Sequence, residues 1–227
     1  MVLSYAFLVS AENKGMIHFT FDEGEGGICK DVFGGYTSIL KSEKGQLPLW
    51  SNGIYGKALA FEPASQNYLV MSEDINRFFV GSQGLTVMAW IKPTKAIPHG
   101  EVVNCKTDTG NTGFRLYIDN RDLTLEIGDG KRSYLVKTSG MIFMSDFTDT
   151  WLHIAGTFNG RVLRLFINGE LIGENGLSHD AHLESGYGLL TIGNYCGTKG
   201  AYAFDGLIDE VKIFNFAVSS DEIINYL

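Results

Sequence analysis

The first residues in this chain with the potential for chemistry are its carboxylates. Leu125-Glu126-Ile127-Gly128-Asp129 places one acid in a strand-like run and the next beside a turn, and Ile208-Asp209-Glu210-Val211 sets two acids side by side. Retaining hydrolysis of a glycosidic bond needs two carboxyl groups about 5–5.5 Å apart. On a strand this separation arises when acids alternate onto one face, as in E-x-D-x-x-E, and the chain has no such run. Adjacent acids point to opposite faces unless a bulge intervenes. Neither pair supports glycoside hydrolysis, so no catalytic residue is assigned. Cys29, Cys105 and Cys196 carry no local nucleophile signature, and their separations are too long for a zinc pair. They read as buried small hydrophobes, or as one disulfide and a spare thiol in an oxidising compartment. His179-Asp180-Ala181-His182 sets two imidazoles three apart, but Gly176 and Ser185-Gly186 flank them, so the segment reads as a polar loop.

Binding chemistry is better represented. A sugar offers an apolar C–H face that suits an aromatic ring, and hydroxyls that suit amides and carboxylates. Tyr187, Tyr195 and Tyr202 lie in Gly-rich connections together with Asn194, Thr198 and Lys199, and Trp50 and Tyr55 flank Ser51-Asn52-Gly53. Tyr187, Asn194, Tyr195, Tyr202 and Trp50 are therefore the candidate ligand-binding residues. Trp90 and Trp151 sit within strands and read as core.

The elements that must position these residues are strands. Period-2 alternation bounded by Gly, Asn and Asp dominates the chain. Leu85–Lys92 is apolar on both faces, as a central strand requires. Phe114–Ile118 and Leu123–Ile127 form a hairpin with one apolar and one polar face, as for a sheet that meets solvent on one side. Trp151–Phe158 and Val162–Ile167 flank Asn159-Gly160, a two-residue turn signal, and Asn168-Gly169 follows eight residues later. Only the C-terminus reads helical: Ser219 and Glu222 form a capping box, with Ile223, Ile224 and Leu227 as an apolar face. About twelve strands joined by short turns predict an all-β, two-sheet antiparallel sandwich with a short C-terminal helix.

Composition agrees. The 227 residues carry 18 Lys and Arg against 26 Asp and Glu, a net charge of −8, which excludes a phosphate-neutralising nucleic-acid binder. The 28 glycines lack a collagen period and imply many tight turns. Val2–Ala11 is apolar but far below the roughly 20 residues that span a bilayer, so no membrane insertion is expected. Residues 1–14 read either as the remnant of a secretory leader, ending in Val9-Ser10-Ala11, or as a ragged start. Residues 15–227 read as one domain.

Five segments together resemble the laminin-G-like jelly roll of the concanavalin A-like lectin and glucanase superfamily. They are Phe21-Asp22-Glu23-Gly24-Glu25-Gly26 with Gly56-Lys57-Ala58-Leu59-Ala60-Phe61; Leu85 to Pro93; Trp151 to Phe158 with Leu165-Phe166-Ile167-Asn168-Gly169; Leu190 to Asn194; and Gly206 to Phe214. The resemblance implies a jelly-roll sandwich that is extracellular, at the cell surface or periplasmic, and that is non-catalytic. Its expected partner is a glycan or polysaccharide, and the alternative is a protein ligand in adhesion or assembly. It also implies a structural Ca2+ at the sandwich rim. An acid after the first strand and the Asp of the I-D-E-V segment would share the ion, which on this chain are Glu23 and Asp209. A glycoside hydrolase is the third and least favoured reading.

Overall fold

The computed structural model describes residues 15–227 apart from 73, 80–81, 96–97, 107–110, 120–121, 140–146, 185–188 and 196–201. The reading of residues 1–14 as a leader or ragged start therefore lies outside the described residues.

Two antiparallel sheets face each other. The first runs β14 (Glu170–Gly176), β13 (Val162–Ile167), β12 (Leu152–Phe158), β7 (Leu85–Pro93), β16 (Gly206–Phe214), β5 (Lys57–Phe61) and β4 (Leu49–Asn52). Strand β1 (Met16–Phe19) pairs with the second half of β16, beyond the reach of β5. The second sheet runs β11 (Ser133–Lys137), β10 (Asp122–Asp129), β9 (Thr112–Asp119), β8 (His99–Lys106), β15 (Thr191–Ile192), β6 (Asn67–Met71), β3 (Thr37–Ser42) and β2 (Ile28–Lys30). This is the predicted all-β jelly-roll sandwich, with helix α1 (Ser220–Ile223) at the C-terminus.

Alternation puts the core where the period-2 pattern predicts. Leu85, Val87, Ala89 and Ile91 of β7, Phe114, Leu116 and Ile118 of β9, and Leu123, Leu125 and Ile127 of β10 are all buried between the sheets. Each such Val, Leu, Ile or Phe side chain contributes about 1.5–3 kcal/mol of burial free energy, and Ala89 less. The sheets approach closely at Gly156, where a Cβ would lie 2.9 Å from Leu125 Cδ1. Cys29 and Cys105 are buried free thiols in this core, as their small-hydrophobe reading requires, whereas Cys196 lies outside the described residues.

Several local expectations need correction. Asn168-Gly169 is the two-residue turn, with both residues at positive φ (50° and 83°) and Ile167 paired to Glu170. At Asn159-Gly160 only Gly160 has positive φ; the Asn159 side chain instead accepts the N–H groups of Arg161 and Val162, closing a longer connection. In α1 the Ser219 N–H donates to Glu222 Oε2 as the capping box requires, and Ile223 is buried. Ile224 and Leu227 stay exposed, because the chain tightens into a 3-10 turn over 224–226 and rotates them off the sheet. Sixteen strands are described rather than twelve, because short edge strands and one bulged strand, β8, lack a clean alternation.

Candidate functional site

The outer face of the second sheet is where polar side chains gather, and strand register decides which of them meet. Lys137, Thr124, Tyr117 and Glu101 are successive cross-strand partners on β11, β10, β9 and β8. The next row holds Leu135, Glu126, Arg115, Asn104 and Thr191. On the other side of the first row, Asp122, Asp119 and His99 stand in line. Glu101 and Asn104 are three residues apart and would alternate to opposite faces on a regular strand. A register shift between Glu101 and Val103 corrects this: Val102 and Val103 both enter the core, and Glu101 and Asn104 emerge together. Bulges re-aim side chains in this way.

Arg115 organises the face. Its Nη1 lies 3.2 Å from Glu101 Oε1, its Nη2 2.7 Å from Glu126 Oε2, and its guanidinium carbon 4.0 Å above the centre of the Tyr117 ring. Lys106 Nζ reaches Glu126 Oε1 at 3.5 Å and donates to Ser133 Oγ at 2.9 Å. Lys137 pairs with Asp119 at 2.7 Å. His99 Nε2 is 3.5 Å from Glu101 Oε1. The sequence predicted a solvated polar face, and the structure corrects this: Tyr117, Thr124 and Glu126 are buried, and Glu101 is completely so. The charges compensate one another, which is the condition for burying them.

This environment shifts the titrating groups. Burial works to raise the Glu126 carboxyl, but Arg115 and Lys106 outweigh it and hold the pKa below the usual carboxylate value. The Lys137 hydrogen bond does the same for Asp119. Burial pushes the Tyr117 phenol upward, so it stays protonated. Among the described residues, three atoms of the face are buried without a hydrogen-bond partner: Glu101 Oε2, Asn104 Oδ1 and Thr124 Oγ1.

Aromatic rings lead away from this network to the loop between β15 and β16. Tyr117 and His99 have ring centres 5.5 Å apart, His99 and Tyr202 4.5 Å, and Tyr202 and Tyr195 6.1 Å. The base of the loop is fixed by Phe204 N–H donating to the Gly193 carbonyl at 2.7 Å. Asn194 Oδ1 accepts the Tyr195 N–H, and the Asn194 carbonyl accepts Thr191 Oγ1. Both tyrosines are half-buried.

Of the candidate ligand residues, the structure thus brings Tyr195 and Tyr202 together at the edge of the polar face. Asn194 is buried and shapes the loop from beneath. Tyr187 lies outside the described residues. Trp50 sits on β4 of the other sheet, donating its indole N–H to the Gly26 carbonyl at 3.0 Å and packing against the core. The sequence reading did not single out His99, Lys106 or Arg115, nor Glu101 and Asn104. Their signal, a polar residue at each end of the Val102-Val103 pair, is legible only once the bulge is known.

Each of the two acids paired for a metal has backbone partners of its own. Glu23 is exposed and accepts the Lys30 N–H through Oε1 at 2.7 Å. Asp209 is fully buried; its Oδ2 accepts Ile54 N–H at 2.9 Å and Tyr55 N–H at 3.3 Å, and its Oδ1 accepts Glu210 N–H at 2.8 Å. A bulge after Asp209, with Glu210 at φ 51°, breaks the alternation of the adjacent acids, and Glu210 pairs with His18 and Lys212 at 2.7 and 2.6 Å. Burial pushes the Asp209 carboxyl up to about 7, against its three backbone donors. Among the described residues no group of three or more His, Cys, Asp or Glu side chains converges for metal ligation. His179 lies in the expected loop, its Nε2 2.9 Å from the Tyr134 hydroxyl.

Solved structures share this architecture. Domain 4 of AbnA, a GH43 extracellular arabinanase from Geobacillus stearothermophilus, solved with arabinotriose, matches with a TM-score of 0.69 and 18% identity, over 92% of this chain and 96% of that one. The binding domain of Paraclostridial Mosquitocidal Protein 1 matches with a TM-score of 0.69 and 16% identity, over 93% of this chain and 51% of that one. The binding domain of botulinum neurotoxin DC, in complex with SialylT, matches with a TM-score of 0.63 and 11% identity, over 94% and 50%. This chain thus spans about half the length of the toxin domains. At these identities the likeness is one of fold. No curated protein sequence matches the chain. Residues 64–224 match the laminin-G-type family described as the concanavalin A-like lectin/glucanases superfamily, and with most of its length so matched the chain belongs to that family.

Proposed function

We propose that this chain is a non-catalytic, extracellular carbohydrate-binding module whose ligand lies across the outer face of the second sheet, against Tyr195 and Tyr202. One observation carries the reading: two half-exposed tyrosines 6.1 Å apart adjoin, through His99, a rigid network of buried polar groups, some without partners. Stacking surface and hydrogen-bonding groups are the two things a sugar needs. Retaining hydrolysis requires one carboxyl with a raised pKa to act as acid. Here Glu101 and Glu126 share one guanidinium, and Glu126 is held low, which favours binding over catalysis.

The test is affinity of the full chain for immobilised glycans, with Tyr195→Ala and Tyr202→Ala variants. Each loses a stacking ring, and binding should fall about tenfold or more, on a par with other aromatic hot spots of recognition. Affinity unchanged in both variants, with unchanged melting curves, would place the ligand elsewhere. A protein-binding role has one observation of its own: Phe216, Ile224 and Leu227 stand exposed around the C-terminal turn.

A further inference from the structure

We infer that the cleft between the β10–β11 turn and the 177–184 segment is a second ligand site, which takes an acidic oligosaccharide through its carboxylate or sulfate groups. It lies apart from the tyrosine loop. Strand β10 begins at Asp122, in the row with Asp119 and His99 that the tyrosines adjoin, and ends at Asp129. Those ends are roughly 23 Å apart at about 3.3 Å per residue.

Main-chain hydrogen bonds fix the walls. Ala181 N–H donates to the Gly160 carbonyl at 2.8 Å, Glu184 N–H to the Gly128 carbonyl at 2.9 Å, and Gly113 N–H to the Glu184 carbonyl at 2.8 Å. Between the walls opens a cleft of about 370 Å³, with Lys131, Arg132 and Tyr134 on one side and His179, His182 and Glu184 on the other. All but Tyr134 are exposed, so a ligand reaches them directly. The volume is in the range of small-molecule sites, roughly 300–1,000 Å³. A second cleft of about 360 Å³ shares Asp180, Ala181 and His182 and extends to Gln83 and Asn159. Two adjoining clefts suit a short chain of sugar units.

The ligand class follows from which groups are already engaged. Asp129 Oδ1 accepts the Lys131 and Arg132 N–H groups at 2.8 and 2.7 Å, and its Oδ2 accepts the Tyr134 hydroxyl at 2.9 Å. Tyr134 gives its one proton to Asp129 and therefore accepts from His179 Nε2 at 2.9 Å. His179 Nδ1 is left to accept the Ser178 hydroxyl at 3.3 Å. Asp180 Oδ1 accepts Arg161 Nε at 2.8 Å. Among the described residues, the side chains of Lys131, Arg132, His182 and Glu184 make no hydrogen bond or salt bridge. The formal charges cancel, with Lys131, Arg132 and Arg161 against Asp129, Asp180 and Glu184, but the free hydrogen-bonding capacity does not. Lysine and arginine only donate, and Glu184 is the one free carboxylate to accept. A neutral sugar brings a donor with every hydroxyl and leaves this surplus of donors unmet. A carboxylate or sulfate accepts without donating, and its bonds to Lys131 and Arg132 are charge-assisted. The sugar hydroxyls then have Glu184 and the Gln83 and Asn159 amides.

The experiment is calorimetric titration of the full chain with trigalacturonate and a sulfated dextran oligosaccharide as acidic probes, maltotriose as the neutral one and triglutamate as an anion that is not a sugar. At least one acidic sugar should bind about tenfold or more tighter than maltotriose and triglutamate, the difference one hydrogen bond to a charged group makes. Added salt should weaken it, because exposed charges are screened. Lys131 and Arg132 hold Asp129 through their main-chain N–H groups, so Lys131→Ala and Arg132→Ala should keep the melting curve. Each should weaken the acidic sugar several-fold, and the double variant about tenfold or more. Maltotriose binding as tightly would overturn the acidic ligand, and triglutamate binding as tightly would overturn the saccharide class. Undiminished affinity in a stable double variant would overturn the site, as would silence from every probe. The tyrosine reading stands or falls by its own variants.

Discussion

Arg115→Met is the perturbation that most directly interrogates the buried face. Among the described residues, Arg115 is the only cation within salt-bridge distance of Glu101 apart from a histidine 3.5 Å away, whereas Glu126 keeps Lys106. Methionine retains the aliphatic stem over Tyr117 and removes the charge. Removing one member of a buried ion pair costs about 3–5 kcal/mol, because the other charge is left uncompensated. Glu101 is fully buried, but Arg115 retains some contact with water, so the lower end of about 3 kcal/mol applies. For a domain of this size that lowers Tm by roughly 6–12 °C. The pH dependence has a definite sign. The native pKa of Glu126 is depressed, so its contribution is present above the unfolded value of about 4.3 and is lost as pH falls through the lower native value. The gap between the native chain and Arg115→Met should therefore be full at pH 7 and shrink below about pH 4. Chemical denaturation at both pH values measures it. Adding Glu101→Gln to Arg115→Met should recover part of the loss by neutralising the abandoned carboxylate. A loss below about 1 kcal/mol at pH 7, or a gap that widens in acid, would refute the buried network.

Two further outcomes concern the other acids. Asp209 has a native pKa of about 7, above its unfolded value, so its protonated form contributes stability that is full below about pH 4 and is lost as pH rises through 7. Asp209→Asn should flatten that slope in urea denaturation and cost about 1–3 kcal/mol, because an amide N–H₂ then faces a backbone donor; an unchanged slope would remove Asp209 as its source. A calcium ion shared by Glu23 and Asp209 must raise Tm in millimolar calcium relative to chelator, because it binds the native state; equal Tm in the two conditions would dismiss that ion.

Particular residues show how far the sequence could be read. Leu85–Lys92 and the Phe114–Ile127 hairpin declare their strands because a pleated strand exposes alternate residues to the same face, and that rule needs no partner to be known. Asn168-Gly169 declares its turn because both residues tolerate positive φ. Strand β8 stayed hidden because its bulge places two consecutive valines in the core, which cancels the alternation locally. Tyr195 and Tyr202 were legible as loop aromatics, but Trp50 carried the same signal and proved to be bonded to Gly26 at the edge of the other sheet.

The physical division is between local and non-local information. Periodicity, turn chemistry and family resemblance determined an all-β sandwich, its core faces and its short terminal helix, since each depends on neighbours within a few residues. Tertiary structure alone decided that Glu101, Arg115 and Glu126 meet, that their face is buried rather than solvated, and that three polar atoms there lack partners. Those facts depend on register across four strands, and a single bulge at Val102 resets which side chains share a face.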